Sequence, residues 1–385
     1  MTLAPFDLTI SAAHAISPSS GIDGPCVIGV SEGLIKFVQI SGETRPYSPA
    51  RQMIEVNRGL LLPGLIDLHT HPDGANSRFG VDPDRHLLSR GATTVLSQGD
   101  AGARNAGAYI RETIEKVSTR IKLAVNFCAN GEANPGGRFF SLDEASVDEC
   151  VAAVRTGRPH TWGISLNIAF IQGMDIDPME VMLRGMAAAE QAGCPVIFGA
   201  TKDAETPLAE QLALLRAGDV ITYCFHPGEG KIIEDGRVLD CVWEARERGV
   251  LFDVGDGTAA FGFEVAEAAI GEGFMPDTIS SDFFRRQVEE GVVLDVPTVV
   301  SKLVAAGMTP DQCWPRITRT PAEVLGMAGQ VGALTAGAAA DFCLLELGES
   351  TELLSDGLGQ ERSVRRWEPT LVIKGGSVVR DDRRG

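Results

Sequence analysis

The stretch from Leu60 to His71 constrains this chain most. It runs Leu60-Leu61-Leu62-Pro63-Gly64-Leu65-Ile66 and then breaks into Asp67-Leu68-His69-Thr70-His71. An apolar run of this kind reads as one fully buried strand, as in sheets covered on both faces. Residues i and i+2 of a strand share a face, so His69 and His71 leave the strand's end together. Strand ends are where α/β folds place their chemistry. Two neighbouring imidazoles suit a divalent metal, while a chance pair on a surface strand is the plainer alternative.

The remainder of the chain must supply a core large enough to bury that strand. With 385 residues, 44% of them hydrophobic, it can form a large domain plus a minor one. A formal charge of −18 argues against nucleic acid or an anionic membrane as partner, since both need clustered Lys and Arg. The 8 cysteines include no Cys-X-X-Cys pair, which fits reduced thiols better than a disulfide framework or a zinc ribbon. The N-terminus lacks a basic-then-apolar signal pattern, and no apolar run reaches membrane-spanning length. The expectation is a soluble cytoplasmic protein acting on a small molecule.

Residues 1–58 read as short strands broken by Gly and Pro, and β-only character returns near Asp341–Leu345 and Leu371–Val379. Two β pieces bracketing the middle suggest one small β-sandwich domain built from residues 1–58 and 330–385. Between them, over 59–329, strand-like runs alternate with helical stretches. After the opening strand come Thr93–Leu96, Leu123–Phe127, Trp162–Leu166, Pro195–Phe198, Val220–Tyr223, Val250–Val254 and Thr278–Asp282. Eight such units predict an α/β chain of the (β/α)8 TIM barrel class. A doubly wound open sheet competes, but no Gly-X-Gly-X-X-Gly follows the first strand.

Leu62–His71, Gly80–Asp84, Gly249–Gly255, Pro276–Asp282 and the closing Thr320-Pro321-Ala322 to Asp341 carry a resemblance. In these segments the chain resembles the amidohydrolase superfamily, especially its dihydroorotase-like and deacetylase-like branch. That resemblance implies two metals at the barrel mouth. Their ligands would be a His-X-His pair after strand 1, a carboxylated lysine after strand 4, histidines after strands 5 and 6, and an aspartate after strand 8. His69, His71 and Asp282 match. Ser165 stands where the lysine is expected, Phe198 and Tyr223 where the two histidines are, and Asp256 where a substrate-side histidine follows strand 7. Neither a phenylalanine nor a neutral serine replaces those ligands, so the expected site is mononuclear: one divalent metal, zinc by ligand type, or none.

The chemistry that follows is hydrolysis of a small cyclic amide, N-acyl or ester substrate. A metal there would draw a water's pKa toward neutrality and polarise the carbonyl. Asp282 would take the proton and deliver it to the leaving group, and the Tyr223 hydroxyl would face the developing oxyanion. Asp256, His226, Arg104 and Asn105 are substrate-binding candidates, with Arg285 and Arg286 as further guanidinium candidates for a carboxylate. Cys224 and Asp100 are weaker substitutes for the missing ligands. The polar loop 130–138 is expected to shape the pocket or act as a lid. Cys128 reads as a buried thiol rather than a nucleophile. The competing function is a barrel that has lost metal-dependent hydrolysis and binds a ligand or runs metal-independent chemistry. Barrels of this kind commonly form homo-oligomers.

Overall fold

The computed structural model describes residues 6–40, 50–133, 139–169, 171, 175–200, 206–257 and 259–383. Strands β1 (Phe6–Ser17), β2 (Ile22–Ser31), β3 (Leu34–Ile40), β4 (Ala50–Val56) and β5 (Leu60–Pro63) open the chain. Then follow β6 (Leu65–Thr70), β7 (Ala92–Gly102), β8 (Arg120–Asn126), β9 (Thr161–Asn167), β10 (Val196–Gly199) and β11 (Val220–Ile221). A short hairpin, β12 (Ile233–Glu234) and β13 (Arg237–Val238), precedes β14 (Leu251–Phe252). The chain closes with β15 (Phe342–Ser355), β16 (Glu361–Lys374) and β17 (Ser377–Asp381).

Strands from the two ends of the chain share one eight-stranded sheet in the order β17-β16-β15-β5-β1-β2-β3, with β4 beside β1. Its alternating apolar residues bury a separate core of Leu8, Ile10, Ile28, Val30, Ile54, Leu61, Phe342, Leu344, Leu371 and Ile373. The middle of the chain forms a seven-stranded sheet, β14-β11-β10-β9-β8-β7-β6, in which every neighbouring pair is parallel. Helices supply the crossovers: Val147–Thr156, Pro178–Ala192, Leu208–Leu214 and Asp240–Glu247. Their ends are written locally. The Asp177 carboxylate accepts the Met179 N–H at 2.9 Å, Pro178 occupies the first turn, and Gly193 ends the helix in the left-handed region at φ 62°. No helix among the described residues is long and apolar enough to cross a membrane.

The parallel sheet is buried on both faces. Ile66, Leu68, Leu96, Ala124, Ile197 and Val220 pack with Ala322, Leu325, Met327 and Val331 on one face. Val95, Val125, Ile164, Leu166, Val196 and Phe198 join the helices in a larger cluster on the other. The two sheet edges come together on residues 278–283, through parallel bridges Asp253↔Thr278 and Thr70↔Phe283. Backbone bonds follow the bridges: Val254 N–H to Thr278 O at 3.2 Å, Asp282 N–H to His69 O at 2.8 Å, and His71 N–H to Phe283 O at 3.3 Å. The stretch read as an eighth strand is thus held by single bridges rather than a continuous ladder.

Two other expectations are corrected by the topology. The opening run is two strands, not one. Leu61 and Leu62 pair with Leu344 and Cys343 in the terminal sheet, whereas Leu65 and Ile66 pair with Ala92 and Thr94 in the parallel sheet. The switch falls at Gly64, whose N–H donates to Asp341 O at 2.8 Å. A Cβ there would lie 2.2 Å from Thr93 Oγ1 and 2.9 Å from Asp341 Cβ, so only glycine lets the two sheets approach so closely. Likewise Leu371–Val379 is not one segment: Gly375 and Gly376, at φ 55° and 79°, turn it into the β16–β17 hairpin.

Asp341 fastens this junction. It accepts from Arg120 Nη1 at 2.6 Å, Lys374 Nζ at 2.8 Å and Gly375 N–H at 2.9 Å, and Lys374 also donates to Thr93 O at 2.9 Å. Gly64→Ala should therefore cost about 1–3 kcal/mol by overpacking. Adding Thr93→Ala, which removes a buried hydroxyl without a partner among the described residues, should restore much of the loss. Urea midpoints of the single and double variants measure this; an unchanged midpoint in Gly64→Ala would show that the junction yields freely.

Candidate metal centre

His69 and His71 sit at the end of β6, where its pairing with β7 shifts register between Asp67 and Thr70. Both rings direct Nε2 at one oxygen: His69 Nε2 lies 3.3 Å and His71 Nε2 3.4 Å from Asp282 Oδ1. These three buried side chains offer ligand atoms all within 4.8 Å of one another, the geometry of a site for one cation.

Each ring is fixed from behind. His69 Nδ1 lies 2.8 Å from Thr222 Oγ1, and the Thr222 hydroxyl donates to Asp253 Oδ2 at 2.9 Å. Asp253 also accepts hydroxyls from Thr278 and Ser280, both at 2.6 Å. A threonine whose proton is given to a carboxylate can only accept from the ring, so Nδ1 carries the hydrogen and the Nε2 lone pair faces Asp282. His71 Nδ1 lies 3.3 Å from Asp100 Oδ1, and Asp100 accepts the Ser97 hydroxyl at 2.6 Å through its other oxygen. Carboxylate or hydroxyl partners behind ligating imidazoles are the arrangement that orients metal ligands.

Asp282 reaches this place on a left-handed backbone, φ 48°, and Tyr223 on another, φ 64°; both are unusual for residues with a Cβ. Space around them is kept by glycines. A Cβ on Gly255 would meet Thr222 Oγ1 at 2.4 Å and His69 Nδ1 at 2.9 Å, and one on Gly257 would meet Asp282 Oδ2 at 2.6 Å. The Tyr223 hydroxyl stands 3.3 Å from His69 Nε2. Two imidazole nitrogens, a carboxylate and a glycine-cleared space beside it fit a divalent ion as a donor set.

Burial dominates the titration of the group. It lowers His69 to about 4, against the attraction of Asp282, so this imidazole is neutral at physiological pH. Burial also opposes a proton on His71, but Asp100 and Asp282 outweigh it and hold that ring well above the usual range. Asp67 is pushed by burial up to about 7, despite accepting the Ser281 hydroxyl and N–H. Asp253 rises to about 6 for the same reason. The Tyr223 phenol is raised well above its ordinary value by burial and nearby carboxylates, which keeps its proton on.

The other candidates are engaged by partners of their own. Asp256 is buried beside the cluster, but both its oxygens accept from Lys302 Nζ, at 3.0 and 2.9 Å. His226 turns into its own loop, accepting Gly228 N–H at 2.8 Å through Nδ1, with Nε2 3.0 Å from Glu229 O. Arg104 is not brought to the cluster: its guanidinium pairs with Glu149 at the surface, 3.0 Å from Nε to Oε2. Asn105 is occupied by Gly102 N–H at 2.8 Å and Asn130 O at 3.1 Å. Arg285 donates to Gly74 O at 3.0 Å, and Arg286 pairs with Glu290 at 2.7 Å.

Phe198 requires a correction of register. It belongs to the helix-side cluster, while Ile197 faces the interior, so no metal ligand comes from either face of β10 there. Of the loop 130–138, residues 134–138 lie outside the described residues. Sequence reasoning missed Thr222 and Asp253. The available signal was a carboxylate inside the apolar run Val250–Val254, because a buried acid must be satisfied by donors that position something.

Known proteins resemble this chain over nearly its whole length. It is 28% identical to a deacetylase of Enterococcus faecalis over 362 residues, 92% of this chain and 95% of that protein. It is 26% identical to a deacetylase of Agrobacterium fabrum over 340 residues, 86% of this chain and 82% of that protein. Among solved structures, an adenine deaminase matches with TM-score 0.84 and 27% identity, covering 97% of this chain and 99% of that one. A dihydroorotase matches with TM-score 0.81 and 25% identity, covering 98% and 99%. No protein-family model matches the chain.

The pKa directions make stability pH-dependent in the metal-free chain. Asp67, at about 7, and His71, well above its usual range, both bind more protons folded than unfolded near neutrality. The native state then loses stability as pH rises through those folded values. His69, at about 4, acts in the opposite sense only between about 4 and the ordinary histidine value of about 6.5. The melting temperature of metal-free protein is expected to fall between pH 6.5 and 8.5. Added zinc should narrow that difference, because a cation replaces the His71 proton. A melting temperature that rises over this interval without metal would contradict the assignment.

Proposed function

We propose that this chain, similar over nearly its whole length to deacetylases, an adenine deaminase and a dihydroorotase, is a metal-dependent hydrolase of the amidohydrolase superfamily. Its reaction would open a C–N bond of a small amide, cyclic amide or N-acyl compound, or an ester. The observation that carries this reading is the convergence of both Nε2 atoms on Asp282 Oδ1. The names deacetylase and dihydroorotase among the similar proteins supply the bond type.

His69, His71 and Asp282 would hold one divalent ion, zinc by the softness of two imidazoles and a carboxylate. When bound, such an ion supplies Lewis acidity toward a carbonyl and a lowered pKa for a water. The protein's own groups do the rest. Asp282 is the acid–base group: its Oδ2 faces the space cleared by Gly257, where it can take a proton from the attacking water and return it to the leaving nitrogen. Tyr223 keeps its phenolic proton and can donate it as a hydrogen bond to the oxyanion. Asp253, through Thr222, holds His69 in one tautomer, and Asp100 does the same for His71.

We read the site as mononuclear. Ser165 lies at the sequence position of the bridging lysine, Ile197 and Phe198 supply no ligand from β10, and Tyr223 stands at the end of β11. We also read the curled parallel sheet as a (β/α)8 barrel with 278–283 as its eighth strand, and the sheet from the two termini as a small sandwich. The boundaries between them would fall at Gly64 and Asp341. Asp256, tied to Lys302, would steady the loop beside Asp282 rather than bind substrate through a free carboxylate. Association into a homo-oligomer belongs to the same reading.

Elemental analysis of protein purified without chelator should find about one zinc-type ion per chain. Two would overturn the mononuclear reading, and none would overturn the hydrolase. On N-acetyl amino acids and cyclic amides, Asp282→Asn should lose at least about 10²-fold in kcat/KM, the lower range for a general acid–base group. Wild-type rates in that variant would remove Asp282 from the chemistry.

A further inference from the structure

Glu132 is an acidic side chain at this end of the sheet to which the metal centre as described gives no task. It lies in the single turn Gly131–Ala133, which follows β8 and packs on the end of β7. The approach is close: a Cβ on Gly131, at φ 58°, would fall 2.6 Å from Gly102 N and 2.7 Å from Asp100 O. The turn is pinned by Gly131 N–H to Cys128 O at 2.8 Å and by Arg78 N–H to Glu132 O at 3.4 Å. Glu132 is only 7% exposed, and its Oε2 is buried with no hydrogen-bond partner among the described residues.

A buried carboxylate oxygen without a donor carries a desolvation cost that nothing visible offsets. Its surroundings identify what would offset it. His71, Asp100, Asp282 and Arg78 are near enough for Glu132 to feel their charges, and Tyr223 feels the charge of Glu132 in turn. Arg78 attracts Glu132 but forms no ion pair with it among the described residues; its guanidinium stands over the Phe79 ring at 5.5 Å. With Asp100 and Asp282 already acidic, a third buried carboxylate close enough to feel them calls for a positive charge among the three.

We propose that Glu132 is a further carboxylate of the metal centre, facing the cation held by His69, His71 and Asp282 from the loop after β8 and binding it through an intervening water. Glu132 is outside the group whose ligand atoms lie within 4.8 Å of one another, which is why the contact is assigned through water. The inference rests on the metal-centre reading above. It adds the Gly131–Ala133 turn to the cation site, whereas that reading takes its ligands from the end of β6 and the 278–283 segment.

The test is zinc affinity, measured by chelator competition on metal-stripped wild-type protein and on Glu132→Gln, Glu132→Asp and the surface control Glu149→Gln, with thermal melts of each metal-free protein. Removing a carboxylate that supports a metal through an intermediate group weakens affinity about 10–100-fold. Glu132→Gln should weaken zinc binding by at least about 10-fold, Glu132→Asp by less, and Glu149→Gln not at all. The metal-free Glu132→Gln chain should melt no lower than wild type, because it loses an unpaired buried charge. Equal zinc affinity in wild type and Glu132→Gln overturns the inference and leaves the metal centre standing. Weaker affinity accompanied by a lower metal-free melting temperature also overturns it, since the residue would then act through the fold. Absence of zinc binding by wild type overturns the metal centre itself. Should Glu132→Gln fail to fold, Glu132→Asp decides by the same two measurements.

Discussion

Residues 278–283 do two things at once. Their bridges to Asp253 and Thr70 draw the two edges of the parallel sheet onto one segment. Their backbone, through Asp282 N–H to His69 O, sets the Asp282 carboxylate between the two histidines. The ligand cluster is therefore a consequence of how the sheet edges meet. Without that segment the sheet would keep its strands but lose the convergence, since His69 and Asp282 are more than 200 residues apart in the chain. Side-chain bonds reinforce the segment: Thr278 and Ser280 donate to Asp253, and Ser281 donates to Asp67. Hydroxyl-rich sequence serves better here than an apolar strand would, because the donors are what buried carboxylates on both neighbouring strands require.

Those carboxylates explain why the rings are so well specified. Asp253 is saturated by three hydroxyls, one of them Thr222, so the proton on Thr222 is committed before His69 is considered. The tautomer of His69 follows by elimination, and with it the direction of the nitrogen available to a ligand. Gly255 makes the arrangement possible, because any side chain there would occupy the Thr222–His69 contact. A residue two strands away from the histidine thus decides what the histidine can do.

How much of this was legible in the sequence depends on the range of the interaction. The alternation of strands and helices and the His-X-His pair follow from short motifs, because strand periodicity and strand-end chemistry are local properties; Asp282 was named as their partner only through the resemblance to the amidohydrolase superfamily. The division of the opening run at Gly64 was not legible, because two apolar strands in different sheets are spelled like one. The arms of β15 and β16 were missed for the opposite reason: between Thr351 and Arg365 they pair through mostly exposed residues, polar and apolar mixed, none of them fully buried. The facing of Phe198 turned on a one-residue register, which flips every side chain to the other face of a sheet.

The balance of buried charge argues for a cation independently of any ligand geometry. Asp67, Asp100, Glu132, Asp253, Asp256 and Asp282 are each at most 7% exposed, whereas Lys302 is the only buried lysine or arginine among the described residues. Lys302 is spent on Asp256. The excess must be met by protons or by a metal. Protons meet it in part, as the raised values of Asp67, Glu132 and Asp253 record, and His71 carries another between Asp100 and Asp282. A divalent ion entering among His69, His71 and Asp282 would displace the His71 proton and relieve the acids that crowd it. Metal uptake and proton release are then one equilibrium in this site, and the acidity of the interior is a measure of its readiness to take the ion.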